Sequence, residues 1–174
     1  MTVATNGLVV WLTGYPASGK STLARAAAES LRQRSCAVCV LDGDQVRATL
    51  RPIPGYDDQA RSDFYASLAG LAALLARQGL VVMVPATANR TAYRDAARAM
   101  APRFLEVFVD TPLAECQRRD PKGLYQLSPS TLPGAGASYE PPAHPDLVVT
   151  PDSPSTDRLV QLVESTVAAR PFKA

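Results

Sequence analysis

The stretch GYPASGKST, which runs from Gly14 to Thr22, combines residue types suited to binding phosphate groups. Its glycines allow the backbone to curl so that successive N–H groups converge on phosphate oxygens. Lys20 adds a mobile positive charge for the β- and γ-phosphates, and the Ser21 hydroxyl is a suitable ligand for Mg²⁺. We therefore predict a nucleoside-triphosphate site formed by Gly14, Ala17, Ser18, Gly19, Lys20, Ser21 and Thr22. GTPases, ATP-driven motors and small-molecule kinases all use such a loop, so it does not fix the reaction.

Two carboxylates follow the next apolar run, in the sequence LDGDQVR. Asp42 and Asp44 would repel a triphosphate unless a cation lies between them. We therefore predict that one holds Mg²⁺ or its waters and that the other orients or deprotonates an acceptor hydroxyl. Arg47, one helical turn further on, is placed to reach an anionic acceptor. The alternative is an ordinary turn, because Asp-Gly-Asp is a favoured turn sequence.

A basic cluster opens the sequence RRDPKGLY. Arg118, Arg119 and Lys122 are placed to fold over the negative charge that develops on a phosphoryl group during transfer. The alternative is a solvated helix end, where the helix dipole favours arginine in any case.

Short apolar runs alternate with stretches of helical periodicity along the chain, which predicts a parallel sheet covered by helices on both faces. The predicted strands are residues 8–13, 37–42, 80–86, 104–110 and 147–149. The predicted helices are residues 21–34, 62–77, 91–101, 112–119 and 156–169. Because the phosphate loop joins the first strand to the first helix, we predict the three-layer α/β fold of P-loop NTPases and kinases, with a mostly parallel central sheet.

One segment, residues 121–145, has no sustained periodicity and is dense in Pro, Gly and Ser. A loop of this length in a compact domain is usually a lid, a binding loop or a disordered linker. Lys122, Tyr125, Tyr139 and Glu140 are not typical linker residues, so we predict a mobile lid over about residues 119–145. The chain, residues 1–174, is predicted to form a single domain.

The composition argues against several functional classes. Lys and Arg number 18 against 16 Asp and Glu, and a net charge of +2 does not favour nonspecific nucleic-acid binding. No apolar run reaches membrane-spanning length and no signal-peptide pattern is present, so we expect a cytoplasmic protein without a membrane partner. Cys36 and Cys39 form a CxxC, but a zinc site would need further ligands and the only histidine is His144. Buried thiols are therefore expected.

Taken together, these motifs resemble those of the adenylylsulfate kinases, small P-loop kinases that phosphorylate the 3′-hydroxyl of adenosine 5′-phosphosulfate (APS). The resemblance covers residues 8 to 150 and rests on GYPASGKST, LDGDQVRATL, residues 55–61, RDPKGLY and YEPP. RDPKGLY is the most specific of these motifs. The implied activity is ATP-dependent formation of 3′-phosphoadenosine 5′-phosphosulfate (PAPS) in sulfate assimilation, by a family that is commonly homodimeric.

The resemblance also implies roles on the ATP side. Lys20 and Ser21 would bind ATP and Mg²⁺, and Asp42 would lie near both the metal and the acceptor hydroxyl. Asp44 would be the base or would orient that hydroxyl. The implied catalytic residues are Lys20, Asp44 and Lys122, the last of which belongs to the lid, and Arg118 is assigned to nucleotide binding.

On the acceptor side, the resemblance assigns Arg47 and Arg61 to the acceptor nucleotide. Tyr56 matches an aromatic residue, usually Phe, that stacks on the acceptor adenine. Leu132 stands where the lid of the family carries Phe, and it can supply apolar contact but not full stacking.

The departures from the family pattern concentrate around the acceptor. Phe64 stands where Asn is expected, and Ala86 and Thr87 replace a Tyr-Arg pair. Arg90 and Arg94 lie nearby in sequence and are candidates to compensate. Each lost charge-assisted hydrogen bond to an anion is worth about 1.5–3 kcal/mol, so several losses would weaken acceptor binding by orders of magnitude or change the acceptor.

Three hypotheses follow. The chain is an adenylylsulfate kinase with a variant acceptor site, a kinase of the same build that phosphorylates another small hydroxyl compound in a specialised pathway, or a nucleotide-binding regulatory module. Retention of Lys20, Asp42, Asp44 and Lys122 argues against the third hypothesis, because a protein without catalysis has no need for the full set.

Overall fold

The structure is a computed structural model that describes residues 7–127, 130–153 and 155–169. Within these residues, strands and helices follow one another in the order β1 Leu8–Thr13, α1 Lys20–Gln33, β2 Val38–Val40, α2 Gly43–Thr49, α3 Asp58–Arg77, β3 Val81–Pro85, α4 Thr91–Met100, β4 Phe104–Val109, α5 Leu113–Arg119, α6 Leu124–Leu127, β5 Leu147–Val149 and α7 Ser155–Ala168. In this part of the chain, no helix has both the length and the apolar character needed to cross a membrane.

The strands form a parallel sheet in the order β2-β3-β1-β4-β5. The middle strand β1 pairs with β3, where Leu8 lies opposite Val81, and with β4, where Val9 lies opposite Phe104. The chain thus passes from β1 to β2 and β3 on one side of the sheet and then crosses to β4 and β5 on the other side. Open α/β sheets bind ligands at such a point, beyond the carboxyl ends of the strands. The phosphate loop follows β1 at this position.

Strand β1 is buried throughout because helices cover both faces of the sheet. Leu8, Val10 and Leu12 pack into the core formed with α1 and α7. Val9 and Trp11 pack into the core formed with α3 and α4. A continuous apolar run is typical of a central parallel strand. The two cores hold the end of β1, and therefore the start of the phosphate loop, in a fixed position.

The predicted three-layer α/β fold is confirmed, and the described sheet is entirely rather than mostly parallel. Most predicted boundaries agree with the structure to within two residues, but α3 begins four residues before its predicted start at Ser62. The Asp57 carboxylate accepts the N–H of Ala60 at 2.9 Å and caps the helix. Helix α2, which the sequence suggested only as one turn, forms because Asp42 accepts the N–H of Asp44 at 3.1 Å.

The predicted lid segment packs over the phosphate loop. It contains α6 and a turn closed by the bridge between Pro133 and Ala137. The hydroxyl of Tyr125 donates to the Pro16 carbonyl at 3.0 Å. Gly134 has a φ of +87°, and a Cβ there would come within 2.8 Å of the nearby Tyr15 ring. The segment is therefore placed as a lid would be, whereas its mobility stays a prediction.

Cys36 and Cys39 contact opposite cores of the molecule. Cys36 packs against the α1/α7 core, whereas Cys39 packs against the α3/α4 core. Both thiols are free, and burial raises the pKa of each. Because the sheet separates the two cores, these cysteines are not arranged to share a disulfide or a metal ion.

A buried ion pair between Arg94 and Glu106 joins α4 to β4 beside the end of the sheet. Arg94 is 1% exposed, and its Nε donates to Glu106 Oε1 at 2.7 Å. Its terminal nitrogens donate to the carbonyls of Ala88 at 2.6 Å and Glu140 at 2.7 Å. One guanidinium therefore fixes both the turn after β3 and the far end of the lid segment.

We predict that Arg94→Ala lowers the free energy of unfolding by about 3–5 kcal/mol, because it removes the buried donor to one oxygen of the Glu106 carboxylate and to two carbonyls. Urea unfolding measures this loss. The matched control is Arg98→Ala, since Arg98 donates to the other Glu106 oxygen at 3.1 Å but has a side chain that is 43% exposed. The control should lose less than about 1 kcal/mol. Equal losses in the two variants would contradict a special role for Arg94.

Candidate active site

The phosphate loop is curled by residues with positive φ. Gly14 has a φ of +150°, Ala17 of +61° and Gly19 of +102°. A Cβ at Gly14 would lie 2.5 Å from the carbonyl oxygen of Val109, so only glycine fits there. The loop ends directly at the N-terminus of α1, where free N–H groups and the helix dipole favour an anion. The backbone is therefore shaped to receive phosphate oxygens.

Lys20, the first residue of α1, turns back over this loop. The residue is 9% exposed, and its Nζ donates to the carbonyls of Gly14 at 3.0 Å and Tyr15 at 2.6 Å. Burial lowers the pKa of Lys20 from 10.5 to about 8, and the charges of Asp44 and Asp42 oppose this shift. Phosphate oxygens carry full negative charge and would be stronger partners for the ammonium than carbonyls.

The two carboxylates after β2 have different surroundings. Asp42 is 5% exposed; its Oδ1 caps α2 and its Oδ2 accepts from Arg25 at 3.2 Å. Asp44 has a side chain that is 70% exposed, and its Oδ2 lies 2.6 Å from Nζ of Lys122 in the lid segment. This contact raises the pKa of Lys122. Asp42 is thus fixed in place, whereas Asp44 is accessible and linked to the lid.

Ser21 and Asp42 are the residues predicted to hold Mg²⁺. Mg²⁺ usually takes one or two carboxylates, substrate phosphates and several waters, rather than a cage made only of protein groups. No group of three or more His, Cys, Asp or Glu side chains suited to a metal occurs among the described residues. Each Asp42 oxygen keeps a second lone pair beyond its present hydrogen bond. The donor set therefore fits a metal ion that arrives with a nucleotide.

A cleft of about 280 Å³ lies beside the start of α1. The predicted residues Ser18, Gly19 and Thr22 line it, together with Arg119. Its other wall is the loop between β5 and α7, which includes Thr150 and Pro151. This loop was not identified from the sequence as part of the site, because it carries no recognisable binding motif. This cleft suits the nucleotide bound by the phosphate loop.

The structure separates the two arginines at the end of α5. Arg118, predicted to bind the nucleotide, is not among the residues that line this cleft. Its side chain is 74% exposed and makes two hydrogen bonds to Glu115, at 2.7 and 2.8 Å. Arg119 lines the cleft instead. The helix therefore turns its second arginine, rather than its first, toward this cleft.

A second cleft, of about 350 Å³, lies between the start of α3, the turn after β3 and the lid segment. The predicted acceptor residues Tyr56 and Arg61 line it, as does Arg90. Tyr56 is 59% exposed, as a stacking platform should be. Arg61 donates from Nε to the Tyr56 carbonyl at 2.8 Å and from Nη2 to the Thr131 carbonyl. It therefore connects the platform to the lid.

Arg47 is stacked between two aromatic rings. Its guanidinium carbon lies 3.9 Å from the ring centroid of Phe64 and 4.6 Å from that of Tyr56. Its Nη1 donates to the carbonyls of Pro54 at 3.1 Å and Gly55 at 2.7 Å. Arg47 was predicted to reach an anionic acceptor, but in this structure it holds the loop that carries Tyr56. Phe64, which departs from the family pattern, is the platform for this arrangement.

Two further residues named for the acceptor side are not in the lining of the second cleft. Leu132 is absent from it whereas its neighbour Thr131 is present, and a role of Leu132 in acceptor binding stays a prediction. The Leu132 carbonyl accepts the N–H groups of Ala135, Gly136 and Ala137 within a tight turn. Arg94, one of the two candidates to replace a missing arginine, is committed to Glu106 in the core.

Tyr139 contributes contacts that could not be inferred from the sequence. Its ring lies 4.8 Å from that of Tyr15 and 6.3 Å from that of Phe108. Its hydroxyl is 3.0 Å from the hydroxyl of Thr13, and burial raises its pKa to about 12. Tyr139 therefore anchors the end of the lid segment on the phosphate loop. The motif YEPP pointed to this residue in the sequence, but its anchoring role follows only from the residues that it contacts in the structure.

The family model for adenylylsulphate kinase matches residues 6–150 of the chain. The adenylyl-sulfate kinase of Pseudomonas aeruginosa is 37% identical in an alignment that covers 90% of this chain and 83% of the relative. The adenylyl-sulfate kinase of a Synechococcus strain is 36% identical over 95% of this chain and 97% of the relative. The chain belongs to the adenylylsulphate kinase family.

Solved structures agree with this assignment. The Mycobacterium tuberculosis APS kinase in complex with AMPPNP and APS has a TM-score of 0.84 and 37% identity, covering 94% of this chain and 98% of that one. A gluconokinase from Sinorhizobium meliloti has a TM-score of 0.60 at 21% identity, covers 95% of this chain and 94% of that one, and shows a shared fold alone.

We predict that affinity for ATP falls as the pH rises above about 8. In the protein without nucleotide, Lys20 begins to lose its proton near this pH. Bound phosphates would raise the pKa of Lys20, so that ATP binding at higher pH requires Lys20 to take up a proton. The dissociation constant should increase by up to about tenfold per pH unit. Calorimetric titration between about pH 7 and pH 9.5, in two buffers of different ionisation enthalpy, measures both affinity and proton uptake.

The matched control for this titration is Lys20→Arg, because a guanidinium stays charged throughout the range. Its ATP affinity, whatever its absolute value, should not change with pH between about 8 and 9.5. Equal pH dependence in the two proteins would show that another group causes the effect.

Proposed function

We propose that this member of the adenylylsulphate kinase family transfers the γ-phosphoryl group of ATP to the 3′-hydroxyl of APS, forming PAPS for sulfate assimilation. The supporting observation is the arrangement of a complete phosphate loop, the Asp44–Lys122 contact and a second cleft with an aromatic platform and arginines, all built from loops around the same sheet. The similar M. tuberculosis kinase, in complex with AMPPNP and APS, supports the same pair of ligands.

On the donor side, the loop N–H groups and the N-terminus of α1 bind the phosphates of ATP. Lys20 leaves the loop carbonyls and pairs with the β- and γ-phosphates, whose charge restores its pKa. Ser21 and Asp42 would hold Mg²⁺, which when bound would neutralise charge on the phosphates. Arg119 lies in the wall of the same cleft and adds positive charge beside Gly19.

On the acceptor side, Tyr56 stacks on the adenine and Arg61 provides positive charge for the phosphosulfate. Asp44 accepts a hydrogen bond from the 3′-hydroxyl and takes its proton as the new O–P bond forms. The bond between the γ-phosphorus and the β,γ-bridging oxygen breaks in the same transfer, and ADP leaves. Lys122 already contacts Asp44, so a small shift brings it to the transferring phosphoryl group, where positive charge stabilises the transition state. Lys20, Asp44 and Lys122 are thus the proposed catalytic residues.

The lid, residues 119–145 of a single domain that spans residues 1–174, is proposed to open and close over both clefts. Its contacts support this: Tyr125 reaches the phosphate loop, and Arg61 of the acceptor cleft donates to Thr131. Closure would exclude water from the transfer. A homodimer and a cytoplasmic location complete the proposal, and both rest on the family resemblance and the composition.

A kinase of the same build with another small hydroxyl acceptor is the second candidate. It is favoured by the acceptor cleft itself, where Arg94 is withdrawn into the core, Arg47 is used to hold a loop and Leu132 lies outside the lining. The shared platform of Tyr56 and Arg61 favours APS instead.

The deciding experiment measures ADP release from ATP and Mg²⁺ with APS as acceptor, beside a panel of hydroxylated metabolites that includes gluconate and adenosine 5′-phosphate. We expect APS to be the best acceptor by at least about tenfold in kcat/KM. Lys20→Ala should reduce turnover by at least about a thousandfold, because it removes charge stabilisation of the transferring group, while circular dichroism shows the fold unchanged.

Turnover with a panel compound but not with APS would establish the second candidate. Retained turnover in Lys20→Ala would reject the proposed mechanism for any acceptor.

A further inference from the structure

We propose that Arg90 binds the sulfate or phosphate of the acceptor beside Arg61, and that in the free protein Asp58 holds Arg90 in an exchangeable ion pair. The inference rests on the proposed function, and it gives a specificity-determining role to a residue that the sequence marked only as a candidate to compensate for missing acceptor contacts.

Arg90 and Arg61 border the same cleft from different elements. Arg90 precedes the first residue of α4, and its Nη2 lies 2.8 Å from Oδ2 of Asp58. Asp58 and Arg61 are three residues apart in the first turn of α3, so they lie on the same face of that helix. The ion pair with Asp58 therefore places the Arg90 guanidinium beside the arginine already assigned to the acceptor.

The other arginines near the cleft are committed elsewhere. Arg94 is buried against Glu106, and Arg47 is stacked on two rings and donates to backbone carbonyls. Arg61 also donates to two carbonyls. Arg90 differs from them, because its side chain is 44% exposed and its partner is a carboxylate whose side chain is 79% exposed. Among these four arginines, it is the one that can change partner with the least rearrangement.

The backbone immediately before Arg90 is held in a strained conformation. Ala88 has a φ of +40°, a left-handed value that alanine rarely adopts. Its N–H donates to the Tyr65 hydroxyl at 3.0 Å, and its carbonyl accepts from Arg94 at 2.6 Å. The next residue, Asn89, is 5% exposed and donates from Nδ2 to the Ser138 carbonyl of the lid segment at 2.9 Å. Strained backbone of this kind persists where the surroundings fix it, so Arg90 extends from a rigid base.

An arginine in a solvent-exposed ion pair can leave its carboxylate for another anion at a small cost in free energy. Such pairs contribute little to stability, because water screens the attraction and ordering the side chains costs entropy. A sulfate or phosphate offers two oxygens that a guanidinium binds side by side through charge-assisted hydrogen bonds. When the acceptor anion enters, Arg90 turns from Asp58 to the anion and the Asp58 carboxylate returns to water. This exchange supplies an arginine contact where the family's Tyr-Arg pair is missing.

The test uses steady-state kinetics of Arg90→Ala, with ATP and APS varied separately. We expect the KM for APS to rise roughly tenfold to a hundredfold and the KM for ATP to change by less than about twofold. Arg90→Lys should recover part of the loss, because it keeps the charge without the paired hydrogen bonds. Asp58→Asn should lower the KM for APS by about twofold to fivefold, because it removes the competitor for Arg90.

The matched control is Arg34→Ala. Arg34 also forms an exposed ion pair, with Glu164 at 2.8 Å and a side chain that is 48% exposed, but it lies at the end of α1, outside both clefts. This variant should leave both KM values unchanged.

The outcomes separate the inference from the proposed function. Normal wild-type turnover of APS with an unchanged KM in Arg90→Ala overturns the inference alone. Equal increases in the KM for ATP and for APS would also overturn it, because they would indicate a general effect on the lid. A wild-type protein that neither binds nor phosphorylates APS overturns the proposed function, and this inference falls with it.

Discussion

The arrangement of the site depends on a buried ammonium group at the carboxyl end of the central strand. Lys20 is 9% exposed and surrounded by loop carbonyls, in an environment that lowers its pKa to about 8. Keeping a charge there requires oriented dipoles, and the left-handed conformations of Gly14 and Gly19 provide them. The loop is held by β1, which is fixed by cores on both faces of the sheet. Asp42 and Asp44 lie near enough for their charges to favour the ammonium form.

The two halves of the site are built differently. The donor half consists of backbone N–H groups and a few side chains at the end of β1, so its geometry follows from the fold. The acceptor half depends on side chains that could have several partners: Arg47 is held by two aromatic rings, Arg94 by Glu106, and Arg90 by an exposed aspartate. In the sequence, these arginines are equivalent candidates to bind an anion. In the structure, their different burial and partners distinguish them.

The sheet and the phosphate loop could be predicted because local patterns determine them. The continuous apolar run of β1 indicated a strand buried on both faces, and the spacing of glycines, lysine and serine indicated the loop that follows it. The start of α3 was missed because it depends on the capping of Ala60 by Asp57, which precedes the apolar pattern. The choice between Arg118 and Arg119 depends on the direction in which a short helix turns. The role of Phe64 depends on Arg47, a residue 17 positions away in the chain that reaches it only in the folded protein.

Phosphoryl transfer from ATP to APS can be observed directly by ³¹P nuclear magnetic resonance of the products formed from ATP, Mg²⁺ and APS. We expect ADP and a new phosphomonoester signal from the 3′-position of the adenosine, with the phosphosulfate intact. This result would show that the donor loop and the acceptor cleft act on one pair of substrates. Inorganic phosphate as the only new product, or no consumption of APS, would contradict the proposed transfer, because the phosphoryl group would then pass to water or remain on ATP.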